Sequence, residues 1–239
     1  MGRAYEVRKA SIQKTGAMKA KIYSTYAKEI YLAAKNGVPE IDANVTLKRI
    51  VEKAKRDQVP NDIIERAIKK AKGNDNENYE TVYYEIIGPK GSTLIVKCLT
   101  DNVNRTISYI REANNKTKTK MSGLGSVSYN YDNLGIIVIK NEESEKLFEE
   151  LLNNNVNLID YEIEDNEITI TIDPNDFHKT KDIIEKVIPK ANYLVDETGM
   201  YPKERITLDN EAKETFVKLI EMLENIDDVS AIYHNVILD

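Results

Sequence analysis

The stretch TVYYEIIGPKGSTLIVKCLTDNVNRT, residues 81–106, divides this 239-residue chain into two kinds of structure. Before it, apolar residues recur at helical spacing. Within it they come as short β-branched and aromatic runs, TVYYEIIG and STLIVKCLT, separated by the turn signal PKG. The spacing predicts a β-hairpin. The second strand runs out into Asp101, Asn102 and Asn104, which read as turn and cap residues, and Arg105 enters the first turn of a helix. A positive charge there opposes the helix dipole. Two readings account for it. Arg105 and the unpaired N–H groups of the helix start form an anion site, or Arg105 pairs with Asp101 or another carboxylate of the fold.

Working back from the hairpin, three helical patterns fill the first segment, after a basic leader, MGRAYEVRKASIQKTGAMKAK, that has no clear period. Tyr23, Tyr26, Ala27, Ile30 and Ala34 share one face of the first helix. Leu47, Ile50, Val51 and Ala54 share one face of the second, and Ile63, Ile64, Ala67, Ile68 and Ala71 one face of the third. Gly37 and Pro39 close the first helix; Pro60 opens the third, with Asp62 and Glu65 spaced as a capping box. The module closes near Gly73, and GNDNEN reads as a linker. Lys48, Arg49, Lys53, Lys55 and Arg56 fall opposite the apolar face of the second helix, and Arg66, Lys69, Lys70 and Lys72 opposite that of the third.

Working forward, a helix is predicted near residues 104–115 and a strand at SVSYNY. GIIVIK, SEKLFEELLNN, IDYEIE, EITITI, FHKTKDIIEKVI and YLVDE then give β-α-β-β-α-β, the ferredoxin-like pattern. RITL, the helix EAKETFVKLIEMLENI and VSAIYHNVIL add a last β-α-β. The class is α+β: an N-terminal three-helix domain and two small helix-covered sheets.

The net charge of −6 conceals an asymmetry. Residues 1–73 hold 17 Lys and Arg against 8 Asp and Glu, a balance of +9, and the remainder carries −15. A basic domain on an acidic body suits a polyanion met in one orientation, although solvated surface lysines give the same totals. One cysteine, Cys98, excludes an internal disulfide framework, and its place inside TLIVKCLT reads as a small buried hydrophobe. No apolar run reaches bilayer-spanning length and the N-terminus lacks a signal-peptide core, so a cytoplasmic protein without a membrane partner is expected.

Chemistry for catalysis is sparse. His178 and His234 lie in different α/β units without a Cys or Asp cluster at metal-ligand spacing. There is no Walker A loop and no G-x-G-x-x-G. SGLGS at 122–126 is flexible enough to approach phosphate, but a turn explains it as well. Acidic pairs such as Glu142 with Glu143 and Glu149 with Glu150 read as solvated helix faces. No enzyme activity, cofactor, metal or small-molecule substrate is expected.

MGRAYEVRK, AKEIYLAAKNG, VPNDIIERAIKKA, LTDNVNRT, GSVSY, YPKERITLD and IYHNV, spread in order from residue 1 to residue 236, resemble the YebC/PmpR family, which includes a mitochondrial translational activator. The resemblance implies a helical N-terminal domain and two α+β domains, the third inserted into the second, and no enzyme activity. The expected boundaries are 1–76 for the basic helical domain, 77–133 with 205–239 for the second domain, and 134–204 for the inserted ferredoxin-like domain.

The resemblance implies a transcriptional regulator binding DNA, with translation on the ribosome as the alternative, in which the partner is ribosomal RNA and difficult nascent sequences such as proline runs are relieved. Helices two and three could imitate a helix-turn-helix, but the end that would read bases carries Asn61, Asp62 and Glu65, and the lysines lie at the other end. That polarity suits phosphate contact and hence recognition by shape and charge. A third reading is a protein adaptor using the acidic body. The residues expected to meet nucleic acid are Arg3, Arg8, Lys9, Lys14, Lys19, Lys21, Arg49, Lys53, Arg56, Arg66, Lys69, Lys70 and Arg105.

Overall fold

Helix α1, Lys19–Asn36, opens the part of the chain described by a computed structural model, which covers residues 19–73, 78–140 and 142–238. Arg3, Arg8, Lys9 and Lys14, the side chain of Lys19, and most of the expected linker lie outside the described residues. Helices α2, Val45–Arg56, and α3, Asn61–Lys72, complete the helical domain. Their apolar faces close on one another as the spacing requires: Tyr26, Ile30 and Ala34 pack with Leu47, Val51, Ala54, Ile64 and Ala67. Buried Asn44 holds the corner. Its Oδ1 caps α2 by accepting from the Leu47 amide at 3.0 Å, and its Nδ2 donates to the carbonyls of Ala33 and Val38 at 2.9 and 2.8 Å.

The predicted hairpin forms as β1, Glu80–Ile87, and β2, Thr93–Thr100, paired antiparallel from Glu80 with Thr100 to Ile87 with Thr93. Helix α4, Val103–Thr117, follows, capped by the Asn102 side chain, and then the short edge strand β3, Lys120–Ser122. After the inserted unit the chain returns with helix α7, Asn210–Glu224, and strand β8, Val229–His234, to complete a sheet of order β3-β1-β2-β8. Alternation puts Ile86, Leu94, Val96 and Cys98 on the face covered by α4 and α7, where they meet Ile110, Phe216, Leu219 and Leu223.

The inserted unit, Ser128–Arg205, is compact in its own right. Strand β4, Tyr131–Lys140, helix α5, Ser144–Asn153, strands β5, Leu158–Glu164, and β6, Glu167–Ile172, helix α6, Phe177–Val187, and strand β7, Tyr193–Pro202, give the ferredoxin-like sheet order β5-β6-β4-β7. Its core joins Ile137 and Ile139 to Leu147, Leu151, Ile168, Ile170 and Ile184. The fold is therefore α+β with an N-terminal helical domain, as the patterns and the resemblance implied.

Three local expectations fail. Asp62 and Glu65 form no capping box, because Pro60 occupies the cap position and α3 starts at Asn61, which places both residues inside the helix. SVSYNY is not a strand; a 3-10 turn spans Ser128–Asn130, and β4 begins at Tyr131. The cause is Glu85, whose buried carboxylate accepts from the amides of Gly125, at 2.8 Å, and Val127, bending the chain where a strand would need those groups for a neighbour. Gly125 has φ +86, a conformation glycine adopts without strain. RITL makes a single parallel bridge, Ile206 with Val236, in place of a strand.

Candidate nucleic-acid interface

Helices α2 and α3 concentrate their cations in their last turns: Lys53, Lys55 and Arg56 on α2, and Lys69, Lys70 and Lys72 on α3. Placed there, they complement the negative end of each helix dipole. Lys48, Lys55, Arg56, Arg66, Lys69 and Lys70 are exposed, whereas Arg49 and Lys53 are half-buried. Half-buried Glu29 of α1 lies within the field of Lys53 and of Lys97 from β2; burial pushes its carboxyl up, and the two lysines oppose that rise. Arg66 meets Asp62 at 2.6 Å and Lys72 meets Glu40 at 3.1 Å, with both partners well exposed in each case. Such pairs are worth under about 1 kcal/mol and give way easily to phosphate. Asn61, Asp62 and Glu65 are exposed at the opposite end of α3.

Arg105 has a different setting. Its guanidinium donates to Asp101 at 2.7 Å and to Asp228 at 2.9 Å. Asp228, only 4% exposed, also accepts from Thr106 Oγ1 at 2.9 Å and from Lys28 Nζ at 3.1 Å. Burial would push the Asp228 carboxyl up, but the hydrogen bonds from Arg105, Thr106 and Lys28 outweigh it and hold the carboxyl below the usual range. The same bonds, from Asp228 first and then Asp101, raise the Arg105 pKa. Asp101 and Asp228 thus answer the positive charge that opposes the α4 dipole.

Lys28 also donates to the carbonyls of Leu99 and Asp227, at 3.3 and 3.1 Å. Lys21, two turns earlier, donates to the carbonyls of Glu224, the last residue of α7, and of Ile226 just beyond it, and burial lowers its pKa. The two lysines fasten α1 to the loop between α7 and β8. Of the residues expected to meet nucleic acid, Lys21 and Arg105 therefore join α1 and α4 to the end of the chain, and Arg49, Lys53, Arg56, Arg66, Lys69 and Lys70 stand on α2 and α3. Lys28 and Asp228 were missed as a pair. A signal for Lys28 did exist: Lys21, Lys28 and Lys35 are spaced by seven, which puts them on one face of α1. Nothing in the sequence pointed across 200 residues from Lys28 to Asp228.

The remaining candidates find structural partners. Burial pushes the Cys98 thiol up to about 12, which leaves it without thiolate character near neutrality. His178 packs edge-on against Phe177 and His234 against Phe216. The Gly125 and Val127 amides of the SGLGS region are directed to Glu85. Among the described residues, no group of three or more His, Cys, Asp or Glu is arranged to hold a metal, and no helix is long and apolar enough to cross a membrane.

Comparison with known proteins places these features in a family. Residues 3–74 match the TACO1/YebC protein N-terminal domain, and residues 79–236 match the TACO1/YebC second and third domain. A relative from Acholeplasma laidlawii, named "Probable transcriptional regulatory protein", is 45% identical over 99% of this chain and 98% of its own length. A relative of the same name from Vibrio campbellii is 41% identical over 98% of this chain and 99% of its own. A crystal structure of a conserved hypothetical protein from Aquifex aeolicus superposes with a TM-score of 0.73 at 28% identity, covering 92% of this chain and 91% of that one. The resemblance carried by LTDNVNRT and the other motifs is thereby borne out, and the chain belongs to the TACO1/YebC family.

Proposed function

We propose that the protein is a non-enzymatic, cytoplasmic regulator of gene expression that grips the phosphate backbone of a nucleic acid with the basic ends of α2 and α3. The observation that carries this reading is the polarity of α3, with exposed Lys69 and Lys70 in its last turn, exposed Arg66 at its middle, and exposed Asn61, Asp62 and Glu65 in its first half. Exposed guanidinium and ammonium groups suit phosphate contacts, which give affinity and orientation without reading sequence. We assign Arg49, Lys53 and Arg56 of α2 as further phosphate contacts, and the domain divisions at 1–76, 77–133 with 205–239, and 134–204 as the working parts of the protein.

The names of the relatives support DNA and transcription as the first reading. The α3 polarity favours a second, structured RNA of the ribosome, because a helix that reads bases in the major groove presents its N-terminal residues to them. Crosslinking in cells, followed by sequencing of the bound nucleic acid, separates the two. Enrichment of promoter DNA upholds transcriptional regulation; ribosomal RNA without promoter DNA replaces it with action in translation. Recovery of neither above background contradicts both.

A further inference from the structure

Helices α1 and α3, with Tyr79 just before β1, line an open cavity of about 520 Å³, within the range that holds small ligands. Its lining joins three tyrosines, Tyr23, Tyr31 and Tyr79, with three cations, Lys28, Arg66 and Lys70, and among the described residues no carboxylate lines it. Tyr31 is 2% exposed and forms the floor. Tyr79 meets it edge-on, with ring centroids 5.7 Å apart and planes at 78°. Lys70 Nζ lies 5.6 Å from the Tyr31 ring centroid and Lys28 Nζ 5.8 Å from that of Tyr79. Rings and cations therefore alternate around one hollow.

That alternation suits an unpaired nucleotide. A base freed from its partner has an exposed π-face that stacks on aromatic rings, while its phosphate needs fixed positive charge. A base inside a duplex offers no such face. The adjoining cavity, of about 800 Å³, shares Ser24, Lys28 and Tyr79 but adds Asp101, Glu112, Asp227 and Asp228 against Arg105. Its carboxylates repel phosphate and direct a bound strand toward α3. The pairing of Arg66 with Asp62 is exposed on both sides and yields readily to a phosphate.

We propose that this cavity takes one unpaired nucleotide of a single-stranded nucleic acid, its base against Tyr23 and Tyr79 and its phosphate against Arg66 and Lys70. The site rests on the nucleic-acid reading above and adds to it a contact with a base, which the backbone grip lacks. It predicts that bases, and not charge alone, contribute to affinity.

The test compares binding of the full chain to a short oligouridylate, an oligodeoxythymidylate of the same length, and an abasic oligomer of the same length and charge. The intact protein should bind the better of the two base-bearing oligomers roughly tenfold more tightly than the abasic one. Tyr79→Ala should remove most of that preference and leave abasic binding unchanged, which also reports that the variant is folded. Tyr79→Phe, which keeps the ring, should retain the preference, and Tyr23→Ala should diminish it. The ratio of uridylate to thymidylate binding assigns the source as RNA or DNA. Equal weakening of base-bearing and abasic oligomers by Tyr79→Ala, or no weakening of either, overturns the site while leaving the backbone grip intact. An intact protein that binds none of the oligomers, nor duplex nucleic acid, overturns the nucleic-acid reading itself.

Discussion

Arg105, in the first turn of α4, meets carboxylates at 2.7 and 2.9 Å, whereas Lys69, in the last turn of α3, is exposed to solvent. Both belong to the same compact unit, and both look like phosphate ligands when only the neighbouring residues are read. The difference lies in what the fold brings to them. At Arg105 the chain returns with Asp228, buried and already bonded to Lys28 and Thr106, so the guanidinium completes a network that fastens α1 to the sheet domain. On α3, Arg66 and Lys72 meet carboxylates that are exposed to solvent, and surface pairs bind weakly. The lesson concerns charge in general: a cation is committed to structure when its partner is buried and further bonded, and remains open to a ligand when its partner is solvated.

The largest expected break in this contrast comes from reversing the α3 charges. Replacing Arg66, Lys69 and Lys70 with Glu should weaken nucleic-acid binding roughly a hundredfold at moderate salt, measured by fluorescence anisotropy, while thermal stability changes little. Asp228→Asn should do the opposite. It leaves Lys28 and Arg105 short of their shared carboxylate and should cost about 3 kcal/mol in denaturant unfolding, with nucleic-acid binding preserved under conditions where the variant is folded.

The same aspartate sets an expected pH response. Its folded pKa lies below the unfolded value of about 3.9, so its contribution is complete above that value and is lost as pH falls through the depressed folded value. Unfolding curves collected from neutral to acid pH should fall less steeply for Asp228→Asn than for the parent protein. An unchanged acid limb would show that Asp228 is not stabilised as the bonds from Arg105, Thr106 and Lys28 require.

Smaller effects sharpen the division. Arg105→Ala leaves Asp228 with Lys28 and Thr106 and should cost about 2 kcal/mol of stability, with affinity for nucleic acid held within about twofold. Lys69→Ala alone should weaken binding only a few-fold, since one phosphate contact is lost, and should leave the unfolding midpoint in place.

Much of this molecule was legible from short-range pattern. The helical domain follows from Ile30, Leu47, Ile64 and their neighbours at helical spacing, and the first hairpin from PKG between two β-rich runs. The ferredoxin-like order of the inserted unit followed from alternation of strand and helix patterns. Apart from the capping box, which Pro60 pre-empts locally, what escaped depended on distant partners. Glu85 turns SVSYNY away from the strand its alternation suggests, by taking the amides of Gly125 and Val127 from 40 and 42 positions along the chain. RITL has strand composition, but Ile206 finds only a single bridge to Val236. The basic faces of α2 and α3 could be read from helical periodicity; the Lys28–Asp228 bond and the gathering of Tyr23, Tyr31 and Tyr79 around one cavity arise from tertiary packing.

The central claim, that the α3 cations face nucleic acid while Arg105 serves the fold, is tested most directly by the salt dependence of binding to a duplex. A plot of log affinity against log salt for the parent protein should flatten by up to about 3 slope units when Arg66, Lys69 and Lys70 are replaced with Glu, since each phosphate contact contributes about 0.9. Arg105→Ala should leave the parent slope unchanged. A parent slope retained by the α3 variant, or a flattened slope in Arg105→Ala, would contradict the account.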